Sequence, residues 1–501
     1  FTGDRRSFEA IARESRWLIM ATTLAAELHM ISNWLGRIAA GNRYTRDHTT
    51  SGLRKALAEI AAQFPVYRTY VSARGVSESD RRVIDGAVKA AKRASRIADP
   101  SVFDFVRSVL TLEAAPPSGR RRSEMLHFSM RFQQFTAPVV AKGVEDTAFY
   151  RYNRLIALNE VGGHPSHFGF SLKEFHAAAE ERAARWPYTM LGSSTHDTKR
   201  SEDVRARLAV LSELASGWRM TLRRWSAMNR TDTPASRSDE YHFYQALVGV
   251  WPGEVSRELS ERLKAYMLKA ARESKEHTSW INPDADYEKA LEGFVEHSLA
   301  NKVFLKDLKD TVERLAHLGL LVGLSQALVK VASPGVPDYY QGTELWDFSL
   351  VDPDNRRPVD YALRKKLLKE PGTDLLKNLS DGRAKLHVIR KGLEVRKKFP
   401  TLFHGAKYTP LYADAGREEN LVAFALTEGS SSVVAVAPRF LSRLMHADDV
   451  APLGPKAWGE ARIPMDGQYV NVLTGERHEA RGHGSLAQLL ATFPLALLVR
   501  Q

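Results

Sequence analysis

The segment Pro187–Asp203 reads PYTMLGSSTHDTKRSED and changes character within a few residues. Its first five residues form a strand-like run, and a polar loop with His196 and Asp197 follows before a helical stretch. In parallel α/β proteins, polar groups at the carboxyl ends of strands often carry the chemistry. A carboxylate beside an imidazole suits neighbouring sugar hydroxyls, because the first accepts hydrogen bonds and the second donates one. Asp197 fits equally well as the N-cap of a following helix.

A second polar stretch, Ala141–Asn153, reads AKGVEDTAFYRYN and follows the apolar run 137–141, which predicts another strand. It places Lys142, Glu145 and Asp146 among three aromatic residues. Two interpretations fit these residue types equally well. The three groups form a polar site at the end of a strand, or the two acids stabilise the dipole of a helix N-terminus.

A third stretch, Ser333–Trp346, reads SPGVPDYYQGTELW and follows the run 327–332, which predicts a buried parallel strand. Its two tyrosines and its tryptophan suit a carbohydrate-lined rim. For most of its residues we favour a purely structural loop. The strands near 137–141, 187–192 and 327–332 are predicted to be parallel neighbours.

The rest of the chain separates into helical and β-rich parts. Apolar spacing predicts one long or two abutting helices over 7–40, a second helix from about 51 to Pro65, and a third that Ser77 caps. The runs 421–426 and 432–436 predict a hairpin. We expect a mainly helical insertion at 1–130 and an α/β region at 131–380, which has its own helical insertion at about 201–325. An all-β sandwich domain should follow at 385–501.

Composition and charge exclude several classes of site and partner. The 501 residues predict two to four domains, and the absence of cysteine excludes disulfides, thiolate metal sites and cysteine nucleophiles. Sixteen scattered histidines without ligand spacing predict no metal site, and no motif predicts a cofactor. The net charge is +13, with an excess of nine in the first 122 residues, but no recognition motif accompanies it, so we expect no nucleic-acid partner. The apolar run 318–332 is interrupted, so we expect no membrane span and a cytoplasmic location.

Taken together, the three stretches resemble the α-amylase superfamily and, within it, the maltooligosyl trehalose synthase family. Ser194–Arg200 (STHDTKR) resembles the family's loop after barrel strand seven, and Pro334–Glu344 resembles the segment after strand eight. The most specific match joins Arg131–Gln134, Ala141–Leu155 and Asn159–Gly163. Further matches lie at Phe64–Tyr70 and at Asp352–Pro358.

The resemblance implies the C-terminal part of a (β/α)8 amylase-type barrel with large helical insertions, followed by an all-β domain. It implies an isomerase of trehalose biosynthesis. In that reaction, the reducing-end glucose of a maltooligosaccharide is released from its α-1,4 linkage and rejoined through an α,α-1,1 bond. The implied catalytic residue is Asp197. The implied substrate contacts are His196, Lys142, Glu145, Asp146, Lys199 and Arg200.

Retaining catalysis of this kind needs a nucleophilic carboxylate and a carboxylic acid about 5 Å apart. The family places them in a Gly-x-Arg-x-Asp motif and at the end of strand five, and the chain shows no such motif. The chain opens on Phe1 rather than Met, so we expect it to be a part of the enzyme that requires the missing N-terminal part and is inactive alone.

Two alternatives stay open at this point. An ordinary α-glucan hydrolase would share the loops but release reducing sugar. A catalytically silent maltodextrin-binding module would bind the glucan without turning it over.

Overall fold

The computed structural model describes residues 1–95, 99–231, 235–369 and 374–500. The chain divides into two compact units. We call them the helical unit, Gly3–Arg154 with Lys269–Glu288, and the mixed unit, Leu155–Leu268 and Lys289–Gln501 with Phe1–Thr2.

Six helices make up most of the helical unit, and side chains cap three of them. The hydroxyl oxygens of Ser7, Thr49 and Ser77 accept backbone N–H groups of their first turns. The predicted helices are confirmed, and the run 7–40 is two helices. The six are α1 Phe8–Ala21, α2 Ala25–Ala40, α3 Thr50–Ala62, α4 Glu78–Ala94, α5 Ser101–Leu110 and α6 Arg120–Val140.

The predicted strand at 137–141 is wrong, because this run is the end of α6. Met125, Phe128, Phe132 and Val139 are buried at spacings of three, four and seven residues, so the run belongs to one helical face. A short apolar run cannot be assigned by periodicity when it is read apart from its neighbours. The helix continues as a π-helix over Ala141–Ala148 and a last turn, Phe149–Arg151.

Among the described residues, nine longer helices lie in or enter the mixed unit, and those between 202 and 332 confirm the predicted helical character of 201–325. They are α7 Leu172–Arg185, α8 Glu202–Ala209, α9 Ala215–Met228, α10 Arg237–Val250, α11 Arg257–Ser274, α12 Ala285–Ala300, α13 Lys302–Ala332, α14 Tyr361–Lys369 and α15 Arg383–Lys398.

The predicted strand at 327–332 is also wrong, since it forms the last turns of the 31-residue α13. Leu308, Val312 and Leu315 begin a buried helical face that continues through this run. Gly319 lets α8 approach closely, because a Cβ there would lie 2.7 Å from Arg207 Cα. Among the described residues, α13 alone is long and apolar enough to cross a membrane, and 61% of its most apolar window is buried within the protein.

Two short parallel strands position the polar loops. β1 (Met190–Gly192) pairs with β2 (Val336–Asp338) in the register Met190↔Val336 to Gly192↔Asp338. The strand predicted from 187–191 is therefore confirmed at its C-terminal end. Its parallel neighbour is β2, which follows α13, and not the predicted strand 327–332, which lies within α13. The remaining details of the expected barrel stay a prediction.

The C-terminal hairpin is confirmed. The strands of this region are β3 Lys407–Leu411, β4 Leu421–Glu428, β5 Ser431–Pro438, β6 Arg462–Pro464, β7 Gly467–Asn471, β8 Arg477–Ala480, β9 His483–Ser485 and β10 Ala496–Arg500. β4 pairs with β5 from Leu421↔Pro438 to Glu428↔Ser431 around a two-residue turn, in which Gly429 takes φ +58°. The hairpin belongs to a six-stranded antiparallel sheet in the order β3-β4-β5-β10-β7-β8, and β6 and β9 form a separate pair.

A buried charge cluster joins α8, α13 and α15 to the two parallel strands. Lys385 Nζ, on a fully buried side chain, lies 2.7 Å from Glu202 Oε1 and 2.8 Å from Asp203 Oδ2. Lys330 Nζ lies 3.1 Å from Glu202 Oε2 and donates to Ser193 Oγ (2.7 Å) and to the carbonyl of Asp338 (3.2 Å). We call Glu202, Asp203, Lys330 and Lys385 the charge cluster.

The environment shifts the pKa values of the two carboxyl groups of this cluster in opposite directions. Burial would raise the pKa of Glu202, but the ammonium groups of Lys385 and Lys330 outweigh it and lower that pKa. Burial dominates at Asp203 and raises its pKa. Both acids therefore depend on the neighbouring lysines to stay ionised inside the protein.

We expect Lys385→Met to destabilise the protein by about 3–5 kcal/mol at neutral pH, because it leaves buried carboxylates without their shared counter-charge. The loss should shrink as the pH falls, since a protonated carboxyl needs no cation. Urea unfolding followed by circular dichroism at pH 7 and pH 5 measures both effects.

The matched control is Lys391→Met on the same helix, where the side chain is 35% exposed and Nζ lies 3.3 Å from Glu394 Oε2. An exposed pair of this kind contributes about 0–1 kcal/mol. Equal stabilities of the two variants would contradict the assigned role of Lys385.

Candidate functional site

The parallel strand pair places two polar loops at one edge. Because β1 and β2 run in the same direction, the loop after Gly192 and the loop after Asp338 leave from the same end of the pair. The first loop, Ser193–Arg200, carries four of the predicted site residues and ends just before α8.

Asp197 lies at the tip of this loop, and its side chain is 71% exposed. Its backbone N–H donates to Thr195 Oγ1 (3.1 Å), and its Oδ2 lies 3.2 Å from His196 Nε2. The helix-cap interpretation is wrong, because the N-cap of α8 is Ser201, four residues further on. The carboxylate thus faces solvent beside an imidazole that is itself 57% exposed.

Asn355 holds the Ser193–Arg200 loop through a hydrogen bond to its backbone. Its buried side-chain amide donates to the carbonyl of His196 at 3.0 Å, so it holds the peptide that joins His196 to Asp197. Asp354, the preceding residue, accepts two hydrogen bonds from Arg262 at 2.7 and 2.9 Å. Despite the burial of Asp354, this guanidinium lowers the pKa of its carboxyl. The segment that holds the loop is therefore itself fixed.

The other two predicted contacts of this loop, Lys199 and Arg200, are both buried. Their backbone N–H groups donate to the carboxylate of Glu160 at 2.8 and 3.2 Å. The Arg200 guanidinium, 1% exposed, donates to the carbonyl of Ile156 and to Tyr266. These contacts favour a role for Arg200 in holding the base of the loop.

His242 completes the surroundings of Arg200. Its Nε2 lies 3.2 Å from an Arg200 nitrogen and 2.7 Å from the Tyr266 hydroxyl. Burial, helped by the charge of Arg200, holds the pKa of His242 well below its usual value. Because arginine can only donate, Nε2 is the unprotonated nitrogen of a neutral imidazole.

The three predicted contacts in the helical unit lie on the π-helix. Lys142 Nζ lies 2.7 Å from Asp146 Oδ2, and Glu145 accepts a hydrogen bond from the Tyr67 hydroxyl. These acids stand at neither a strand end nor a helix N-terminus, so both interpretations of their setting are wrong. A π-helical segment inside an α-helix is frequent at functional sites.

Lys275 holds this π-helix from a segment distant in the sequence. Its Nζ donates to the carbonyl of Asp146 (3.1 Å) and to Thr147 Oγ1 (3.0 Å). Thr147 in turn donates to the carbonyl of Lys142 at 2.9 Å. Burial lowers the pKa of Lys275, while Glu273 acts in the opposite direction.

In the Ser333–Trp346 stretch, Trp346 has structural contacts. Its indole N–H donates to the carbonyl of Leu379 at 2.6 Å, and its ring faces Lys385 Nζ at 5.4 Å. Tyr339 differs, because its buried hydroxyl has no hydrogen-bond partner among the described residues. Lys330 Nζ lies 4.1 Å from the Tyr339 ring centre.

No role was predicted for Asn355, Lys275 or the charge cluster. A signal was present for Lys330, since a lysine within an apolar run needs a buried partner. Asn355 lies in the matching segment Asp352–Pro358, but its contact with His196 spans 159 residues, and that of Lys385 with Asp203 spans 182. In the part of the chain that the structure describes, no group of three or more His, Asp or Glu side chains could hold a metal ion.

The chain is similar to several maltooligosyl trehalose synthases. It is 39% identical over 378 residues to a curated Mycobacterium tuberculosis protein named as a maltooligosyl trehalose synthase, covering 74% of this chain and 45% of the relative. No protein-family model matches the chain.

Solved structures extend the similarity to the fold. The maltooligosyltrehalose synthase from Arthrobacter ramosus superposes with a TM-score of 0.83 and 35% identity, over 100% of this chain and 59% of that protein. A Sulfolobus tokodaii protein of the same name superposes with a TM-score of 0.74 and 26% identity, over 99% of this chain and 58% of that protein. The chain thus spans about half the length of the curated relatives it matches. By sequence and by fold, it is a homologue of the maltooligosyl trehalose synthases.

Proposed function

We propose that this chain is the part of a maltooligosyl trehalose synthase that holds the third carboxylate of the active site. The enzyme would convert the reducing-end α-1,4 linkage of a maltooligosaccharide into an α,α-1,1 linkage by two displacements, with retention. The observation that carries this proposal is the similarity to the Arthrobacter synthase along the full length of the chain. The nucleophile and the acid would come from the region that the chain does not cover.

Asp197 would hold sugar hydroxyls at the reacting ring. Its carboxylate caps no helix, stands 71% exposed, and sits on a turn fixed by Thr195 and Asn355. A fixed carboxylate can bind hydroxyls more strongly in the flattened, positively charged transition state than in the resting sugar. His196, 3.2 Å away, would supply a donor to a neighbouring hydroxyl.

The remaining contacts divide into two roles. Lys142, Glu145 and Asp146 are partly exposed and bear the charged groups that would bind the released glucose through its hydroxyls. Lys199 would contact the substrate only through the small part of it that is accessible, since the residue is 7% exposed. Arg200 would act as a positioning residue for the Asp197 loop.

The chain alone is expected to turn over no maltopentaose, because one carboxylate cannot serve as nucleophile and acid at once. Chromatography of the sugars after prolonged incubation with the folded chain measures this. Turnover that disappears in Glu145→Gln or Asp146→Asn would show that the catalytic pair lies within the helical unit, against the proposal.

Asp197→Asn should lower kcat about a hundredfold or more in an enzyme where this chain is joined to the region of the Arthrobacter protein that it does not cover. KM should change far less, because the undistorted sugar uses the charge weakly. Stability should stay unchanged, since the side chain is exposed. Steady-state kinetics with maltopentaose and thermal unfolding give the three values.

The matched control is Asp448→Asn, an exposed aspartate of the mixed unit outside this loop, which should leave kcat unchanged. A folded Asp197→Asn enzyme that binds maltopentaose and retains near-normal kcat would exclude the proposed role.

A further inference from the structure

A second concave site lies in the mixed unit. It is a cavity of about 770 Å³ between the end of α10, the middle of α13 and the segment 346–348, and none of its lining residues belongs to the Ser193–Arg200 loop. This volume is within the range of small-ligand sites. We call it the Trp251 cavity, after the aromatic residue that follows α10.

The wall of the Trp251 cavity combines aromatic rings with one buried and one half-buried charged group. Trp251, Trp346 and Phe348 supply the rings, and Arg207 and Asp347 supply the charges. This combination is that of a site for a polyhydroxylated ligand, whose ring faces pack on aromatics while its hydroxyls bond to planar polar groups.

Arg207 is pre-positioned in this wall. The residue is 4% exposed, its guanidinium carbon lies 4.1 Å from the Phe348 ring centre, and one terminal nitrogen donates to the carbonyl of Trp251 at 2.9 Å. Among the described residues its other terminal nitrogen, Nη2, donates no hydrogen bond, so this nitrogen can donate to a ligand acceptor.

Asp347 offers the complementary acceptor. Its Oδ1 accepts the N–H of Ser349 at 3.0 Å, whereas no hydrogen bond to its Oδ2 is found in the described ranges. Burial raises the pKa of this carboxyl. The backbone N–H of Asp347 donates to Asp203 Oδ2 at 2.8 Å, so the charge cluster holds the cavity wall in place.

The rim of the cavity carries charges of both signs. Lys309 and Arg357 line it together with Glu313, and Arg357 is paired with Glu258 at 2.8 Å. Four basic and two acidic residues line the cavity, but Arg262 and Arg357 are already paired with Asp354 and Glu258. The remaining Arg207 and Lys309 match Asp347 and Glu313 in number. This balance favours a neutral polar ligand over a strongly anionic one, which would meet the two acids at close range.

We propose that the Trp251 cavity binds a short neutral oligosaccharide at a site separate from the Asp197 loop. The choice of an α-glucan as this oligosaccharide rests on the proposed function. The inference that the cavity binds a sugar rests only on its aromatic, arginine and aspartate side chains. The bound sugar would place ring faces on Trp251 or Phe348 and hydroxyls on Asp347 Oδ2 and Arg207 Nη2.

The test is isothermal titration of maltopentaose into the purified 501-residue chain, with two cavity variants. Ala316→Trp fills the cavity from the face of α13 and removes no contact within the protein. Asp347→Asn keeps the size of the side chain but halves its acceptor capacity. We expect Ala316→Trp to abolish this binding and Asp347→Asn to weaken it about tenfold or more.

Asp197→Asn serves as the control and should leave binding at the Trp251 cavity unchanged. Maltopentaose should also slow hydrogen exchange of the amides in 251–253 and 346–349, a readout that needs no variant. If Ala316→Trp fails to fold, Asp347→Asn and the exchange pattern decide the matter.

Absence of binding by the unmodified chain, or affinity unaltered by Asp347→Asn with no protection of these amides, would overturn the proposal. Binding that is lost in Asp197→Asn but kept in both cavity variants would also overturn it, while supporting the proposed function. Loss of activity in the joined enzyme on Asp197→Asn tests the proposed function separately.

Discussion

The structure of the mixed unit depends on the burial of one ammonium group, Lys385 Nζ, between the carboxylates of Glu202 and Asp203. Two adjacent acids at the start of a helix would repel each other in a water-free interior. Their shared contact with Lys385, and that of Glu202 with Lys330, removes this repulsion. Because buried ion pairs add little net stability over apolar packing, we assign the charge cluster to fixing one arrangement of helices and strands.

That arrangement decides where the Asp197 loop lies. Glu202 accepts hydrogen bonds from Ser193 and Lys330, and Lys330 also reaches the carbonyl of Asp338, so one acid joins the ends of β1 and β2. The loop between Ser193 and α8 is thus held at both ends. Asn355 holds its middle through the His196 carbonyl. An exposed carboxylate on a turn held in this way is pre-organised, as transition-state stabilisation requires.

The sequence predicted the local features and missed the long-range ones. Helix caps such as Ser77 and the turn at Gly429 are encoded within a few residues, and the structure confirms both. The apolar runs at 137–141 and 327–332 were assigned to strands although each ends a long helix, because periodicity over six residues does not separate the two states. The polar loop with Asp197 was located correctly, since its pattern is local. Its supports were missed, because Asn355 and Lys385 meet their partners only in the folded protein.

An Asp197 loop that serves a transglycosylating enzyme can be recognised from the sugars that the joined enzyme releases. Maltopentaose should give mainly a trehalose-ended product without reducing power, with free reducing sugar as the minor product. The ratio of trehalose-ended product to free reducing sugar should remain high at early and late times, because the released glucose rejoins the chain from which it came. Mainly reducing sugar at every time point would instead identify an α-glucan hydrolase and contradict the account.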